Sequence, residues 1–293
     1  LNMSLLKLSL FLAVAMPMPG SSRVLIDPNA IKSYFYQNTV PQIAQPESNH
    51  LVYIGQCYQG KAYFATLYNQ NRKIPVYSAY VYGATEEMTD KAKSQPSETN
   101  IKPRIFPEKS CIELKSINEN DNMKESPNLK LDPKWYSQVE ESQAIDQDYR
   151  ESFYSRGHMN PNGHHSPGAF RKATFTLTNA VPQNQYANEE WAKQYEDKII
   201  RLTRGCSKTY IITGAIPGNN LLKDRVSIPE YIWSALCCVN NNGNPMRSTA
   251  RLQMNKGDKN ENIVKSLTVN ELVNTYLKLH LQITELFKDG CQP

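Results

Sequence analysis

The chain has 293 residues, 40% of them hydrophobic, which supports a substantial core in one large domain or two small ones. Seventeen tyrosines and eighteen prolines argue against a helical bundle and for strands, turns and irregular connections. The net charge of +5 permits a polyanionic partner without demanding one.

Residues 1–22 read as a secretory signal. Lys7 supplies a weak positive start, Leu8 to Met16 an apolar run broken by Ser9, and Pro17, Gly20, Ser21 and Ser22 a small, helix-breaking end. The run is too short for a membrane span, and no later stretch is long and apolar enough for one. A secreted, extracellular protein without stable membrane association is expected, with residues 23–293 as a single domain. The six cysteines, Cys57, Cys111, Cys206, Cys237, Cys238 and Cys291, suit disulfides in an oxidising compartment. Six cysteines allow 15 connectivities, and the sequence does not choose among them. The adjacent Cys237-Cys238 pair and the lack of Cys-x-x-Cys do not suit a zinc cluster.

Residues 23–60, with Pro28, Pro41 and Pro46, read as irregular. Tyr63 to Leu67 and Ile74 to Tyr82 are aromatic and β-branched, and Asn69-Gln70-Asn71 between them is a turn signal. The pair predicts a hairpin, with Pro75 at a strand start or edge. Residues 84–150 are polar and broken by five prolines, which predicts a long excursion with short elements. Ala173 to Leu177 is a further strand candidate. Trp191, Tyr195, Ile199 and Leu202 recur at helical spacing and predict one helix from Gln185 to Leu202, with Gly205 beyond its end. Thr209 to Ile216, Tyr231 to Val239 and Arg247 to Met254 read as strands, with a turn over Asn240 to Asn244. Thr268 and Glu271 form a capping-box pattern opening a helix that runs through Ile283. Strands outnumber helices, so the expected class is α+β with a largely antiparallel central sheet flanked by helices.

Charge is unevenly spread. Residues 86–150 carry 10 Lys/Arg against 14 Asp/Glu, and residues 151–225 carry 10 against 6. The basic excess falls on the segment that also holds Arg156-Gly157-His158, followed by Asn179-Ala180-Val181-Pro182-Gln183, Asn188 and Trp191. These residue types suit phosphodiester hydrolysis. An imidazole such as His158 can activate water near neutral pH. A guanidinium such as Arg156 can grip phosphate oxygens as a fork. The carbonyl of Asn188 is a hard oxygen suited to Mg²⁺, an ion that keeps most of its waters. On one continuous helix Glu196 would fall within roughly 80° of Asn188 around the axis.

Arg156-Gly157-His158, Asn179-x-x-Pro-Gln183 and Asn188-x-x-Trp191 together resemble the DNA/RNA non-specific endonucleases, the ββα-metal or His-Me finger nucleases. Ala65 to Tyr68, Ile74 to Ala79, Tyr154 to His158 and Phe175 to Ala180 are similar to a secreted branch, the endonuclease domain-containing 1 proteins. The resemblance covers roughly residues 50–290. It implies a central antiparallel sheet flanked by helices, with a ββα-metal element. It implies an Mg²⁺-dependent hydrolase (Mn²⁺ or another divalent cation being alternatives) that cuts DNA and RNA with little sequence preference. By this likeness His158 is the general base, Asn188 the direct metal ligand and Arg156 a phosphate-contacting residue. Asn179 helps organise the active site, and Glu196 orients a metal-bound water. DNA and RNA are the implied partners as substrates, and no protein partner is identifiable.

Two positions depart from the family pattern. Ser155 stands where many members have Asp before Arg-Gly-His, and Ile200 stands where the family uses an arginine. They keep open an alternative, a catalytically weak or inactive nucleic-acid- or protein-binding module on the same fold. A zinc site built on His158, His164 and His165 is the weaker third reading. Adjacent histidines seldom face one ion, so His164-His165 reads as a loop.

Overall fold

Seven strands rich in Tyr, Ile, Val and Thr form the sheet that carries everything else. The structure is a computed structural model describing residues 31–43, 50–58, 61–82 and 140–293. The expected signal segment, most of the polar excursion, and Cys111 lie outside these residues. The strands are β1 (Gln42–Ile43), β2 (Leu51–Tyr58), β3 (Lys61–Asn69), β4 (Ile74–Tyr82), β5 (Tyr154–His158) and β6 (Ala180–Asn184). They continue with β7 (Lys208–Leu222), β8 (Val226–Val239), β9 (Pro245–Met254), β10 (Lys265–Leu267) and β11 (Ile283–Glu285). The main sheet has the order β10-β9-β8-β7-β4-β3-β2, and every neighbouring pair is antiparallel. The class is therefore α+β, built mainly on an antiparallel sheet.

Side chains on a strand alternate between faces, so this sheet builds two cores. One face carries Tyr77, Ala79, Ile212, Trp233 and Ala235 against Ile31 and Phe35 and the C-terminal helical segment at Val269, Leu272 and Leu277. The other carries Tyr80, Ile211, Ile232 and Leu236 against Met159, Leu177, Val181, Trp191, Tyr195 and Ile199. The same alternation also explains the adjacent cysteines. Cys237 bonds Cys291 in the first core, while Cys238 bonds Cys206 in the second. One Cys-Cys step on β8 thus staples both layers to the sheet.

The helices on the second face are α1 (Asp146–Tyr149), α2 (Ala169–Ala173), α3 (Gln185–Gln194) and α4 (Ile199–Leu202). On the first face, α5 (Val269–Leu272) continues through a π-helical turn, Val273–Leu277, into α6 (Lys278–His280). The capping box at its start is present, with the Thr268 hydroxyl accepting from the Glu271 amide at 3.1 Å. Among the described residues no helix is long and apolar enough to cross a membrane.

Four expectations need correction. Leu51–Tyr58 is a full edge strand in a stretch that reads as irregular, because pairing with β3 outweighs its weak local pattern. Ala173 to Leu177 is not a strand. Its start belongs to α2 and its end to a 3₁₀ turn, Leu177–Asn179, while β6 begins just afterwards. The helix from Gln185 stops at Tyr195, whose φ of −124° and ψ of −61° leave the helical region. A 3₁₀ turn, Glu196–Lys198, then leads into α4. The Tyr195 hydroxyl hydrogen-bonds Ser234 of β8 at 2.7 Å, and this buried tertiary contact accompanies the break. The C-terminal helix ends at His280, since Gln282 takes a positive φ of 55° and turns Ile283 into β11, beside β1.

The Cys206–Cys238 disulfide closes a loop of 32 residues. Constraining a loop of that size in the unfolded chain is worth about 3 to 4 kcal/mol. Replacing both cysteines by alanine is expected to lower the unfolding free energy by that order. Urea denaturation followed by tryptophan fluorescence measures it, and an unchanged midpoint would contradict this role.

Candidate active site

Strand β5, strand β6 and helix α3 form a ββα unit. β5 and β6 are antiparallel, with Tyr154 opposite Asn184, Arg156 opposite Pro182 and His158 opposite Ala180. Arg156 and His158 therefore share one face of the ribbon, two residues apart, and both remain partly exposed. The opposite face, with Gly157, Val181 and Gln183, is buried toward the sheet. Asn184 ends β6 and caps α3, its side chain accepting from the Tyr186 amide at 3.0 Å. Asn188 follows in the first turns of α3, beside the buried stripe of Ala187 and Trp191. It is partly buried, and no described residue hydrogen-bonds its side chain.

Gly157 is required by packing. A Cβ at this position would lie 2.7 Å from the Cβ of Gln183 and still closer to its Oε1. The glycine of Arg-Gly-His and the glutamine of Asn-x-x-Pro-Gln are thus two halves of one steric fit.

Asn179 holds the ribbon to the sheet. Its Oδ1 accepts from the Ser78 hydroxyl at 2.9 Å and from the Asn160 amide at 2.9 Å. Its Nδ2 donates to the carbonyls of Asn160 and Thr174, each at 3.0 Å. Its own carbonyl accepts from the Met159 amide at 2.8 Å. Each side-chain polar atom has two partners and the residue is fully buried, so its geometry is that of a positioning residue. Ser78 in turn bonds Thr66, which bonds Gln56, so a buried polar chain runs from β2 to the site.

His158 sits edge-on to Phe175, with ring centroids 5.4 Å apart. Desolvation lowers its pKa to about 4, against a smaller opposing pull from the Arg156 backbone. The imidazole is therefore neutral at pH 7 and able to accept a proton. Glu196 lies beyond the break in the helix, so the angular argument linking it to Asn188 does not apply. Burial pushes its pKa up to about 8, Asp197 adds to the shift, and Trp191 opposes it.

Arg156 has a partner that the sequence did not announce. Its guanidinium lies 2.5 Å from Asp146 and 5.1 Å from the centre of the Tyr149 ring. The second oxygen of Asp146 meets Arg150 at 2.9 Å. Nothing local marks Asp146, ten residues upstream; only the docking of α1 beside β5 reveals the pairing.

His164 and His165 are structural. The Tyr80 hydroxyl meets His164 Nδ1 at 2.8 Å, and His164 Nε2 meets the Glu196 carbonyl at 3.3 Å. His165 Nε2 meets Asn160 Oδ1 at 2.6 Å, and its ring stacks on Phe170. Among the described residues, no group of three or more His, Cys, Asp or Glu side chains could hold a metal ion.

The family model for DNA/RNA non-specific endonucleases matches residues 47–280, which include the whole ββα unit. The chain belongs to the DNA/RNA non-specific endonuclease family. It is 31% identical over 210 residues to the Endonuclease domain-containing 1 protein of Homo sapiens, and 32% identical over 210 residues to that of Mus musculus. Each alignment covers 70% of this chain and 38% of the relative. The match therefore spans well under half the length of these relatives. A solved EndoG/EndoGI complex, described as showing the mechanism of EndoG inhibition, matches with a TM-score of 0.46 and 18% identity. That alignment covers 69% of this chain and 76% of the other.

Within this endonuclease family chain, Ser155 pairs opposite Gln183 and Ile200 is 44% exposed on α4. Neither supplies charge to the ribbon.

Two outcomes test the site's construction. Gly157→Ala is expected to destabilise the fold by about 1 to 3 kcal/mol through overpacking against Gln183. Thermal unfolding of the variant measures this, and an unchanged melting temperature would contradict the fit. The second concerns His164, whose pKa burial lowers to about 4 despite the Glu196 carbonyl. Below pH 4 both folded and unfolded chains bind its proton; between 4 and 6.5 only the unfolded chain does. Its stabilisation is complete above pH 6.5 and lost as pH falls toward 4. The native protein should therefore lose about 3 kcal/mol more than His164→Gln across that window. Glu196, shifted upward, has the opposite slope between 4.5 and 8 in both proteins. Parallel stability–pH curves would overturn the assignment.

Proposed function

We propose that this protein is a metal-dependent endonuclease that hydrolyses phosphodiester bonds of DNA and RNA with little sequence preference. The observation carrying this reading is the ββα unit, which puts Arg156 and a neutral His158 on one partly exposed face and Asn188 at the start of the following helix. His158 acts as general base, taking the proton of the attacking water at its free imidazole nitrogen. Arg156, held by Asp146, contacts the phosphate and meets charge as it builds on the oxygens. Asn179 keeps the ribbon in place through Ser78 and Asn160.

The residues fit a hard divalent cation. Asn188 offers a partly buried amide that no described residue engages, and an ion such as Mg²⁺ needs few protein ligands because it keeps its waters. Asn188 would hold it, and it would supply charge stabilisation for the leaving oxygen. Mn²⁺ has compatible ligand chemistry. Glu196, neutral near pH 7 in the metal-free protein, would orient water as a carboxylate only after losing its proton. Secretion is supported by the two disulfides among the described residues, which suit an oxidising compartment.

One observation favours a second reading, a binding module with weak or no catalysis: Asp146 already occupies part of the Arg156 guanidinium.

Supercoiled plasmid and RNA, incubated with protein and Mg²⁺ or with EDTA, separate the two. The expected outcome is metal-dependent degradation that falls at least about a hundredfold in His158→Ala. Intact substrates with gel retardation would support the binding module and refute the nuclease.

A further inference from the structure

We propose that the open end of the β5–β6 ribbon is a base-stacking subsite for single-stranded polynucleotide. Phe153 and Tyr186 supply the stacking surfaces and Arg150 supplies the phosphate contact. This deepens the nuclease reading and rests on it for the identity of the substrate class.

Three observations meet at this end of the ribbon. Phe153 is 92% exposed and Tyr186 is 50% exposed, the two aromatic rings among the exposed large hydrophobic residues described. Tyr154 pairs with Asn184, so Phe153 enters the ribbon and Tyr186 leaves it at the same end. Exposing an aromatic ring to water forfeits burial energy, and a pair of them at one edge marks a contact surface.

Basic side chains lie beside them. Asp146 bridges two guanidiniums, Arg150 at 2.9 Å and Arg156 at 2.5 Å. Lys223 donates to the carbonyls of Arg150 and Gln147 at 2.8 and 2.9 Å, which ties the end of α1 to the β7–β8 turn. Arg150, Arg156 and Lys223 lie among Asp146, Glu151 and Asp224, so the local charge is balanced, and Arg150 is the half-exposed guanidinium among them. The Arg150 side chain is 54% exposed, with its Nε donating to Asp146.

The order along the ribbon fits a strand of nucleic acid. Phe153 comes first, Arg156 is inside β5, and His158 ends it. Five residue steps at about 3.3 Å separate Phe153 from His158, roughly 16 Å in all. Phe153 lies at a bend just before β5, outside the alternation that puts Arg156 and His158 on one face, so a polynucleotide stacked on it turns around the end of the ribbon to present a phosphate to Arg156 and His158. Base–aromatic stacking needs unpaired bases and tolerates any sequence. A duplex offers its phosphates to the arginines but not its base faces to the rings.

The test uses the His158→Ala protein, so that substrate survives, and fluorescence anisotropy with a short labelled oligothymidylate and a duplex of equal length. Adding Phe153→Ala and Tyr186→Ala together is expected to weaken single-strand binding about tenfold or more, with duplex binding unchanged within about twofold. Phe153→Trp should retain single-strand affinity. Arg150→Ala should weaken both ligands and reduce the salt slope for the single strand by roughly 0.7. Equal single-strand binding with and without the rings overturns the proposal, as does equal weakening of both ligands or no binding of either. Plasmid degradation by the otherwise native protein reads the nuclease activity separately, so failure of the stacking subsite and failure of that activity are distinguishable.

Discussion

The amide of Asn179 is the point on which the site depends. It is fully buried, and its four hydrogen bonds join a loop, a turn and the central sheet. A buried amide with an unmet bond costs on the order of 1 to 3 kcal/mol, so this arrangement holds only as a unit. Through Ser78, Thr66 and Gln56 the constraint reaches across β4, β3 and β2. The ribbon bearing Arg156 and His158 is therefore not a free hairpin. Its buried face is fixed by Gly157 against Gln183, and its end by Met159 and Asn160 against Asn179.

The same burial that fixes the ribbon sets its electrostatics. Desolvation lowers the pKa of His158, and does the same to His164 and His165. For Glu196 it acts in the other sense and favours the protonated acid. Asp146 and the Tyr149 ring accompany the Arg156 guanidinium. A guanidinium left partly buried without a counter-charge would carry a desolvation penalty. The carboxylate thus aims the arginine while lowering the local positive charge.

Where sequence reasoning failed, tertiary contacts overrode local pattern. Trp191, Tyr195 and Ile199 do form one buried face as their spacing predicts. Yet the helix breaks at Tyr195, where the hydroxyl bonds Ser234. The strand at Leu51–Tyr58 escaped notice because Gly55 and Gln56 interrupt its apolar pattern; the buried Gln56 is there for Thr66 and Thr178. Asp146 offered no local sign at all, since charged residues in polar segments are ordinarily solvated surface.

By itself the sequence determined the family, the antiparallel α+β class, five strands of the seven-stranded main sheet, and the Thr268 cap. These follow from residue type and spacing, which act over a few positions of chain. Only the tertiary structure decided that Asn179 joins the ribbon to the sheet, that Asp146 pairs with Arg156, that Cys237 and Cys238 serve opposite faces, and that Glu196 stands past a helix break. Each of those depends on groups distant in sequence meeting where water is excluded, and there a hydrogen bond or charge pair outweighs local preference.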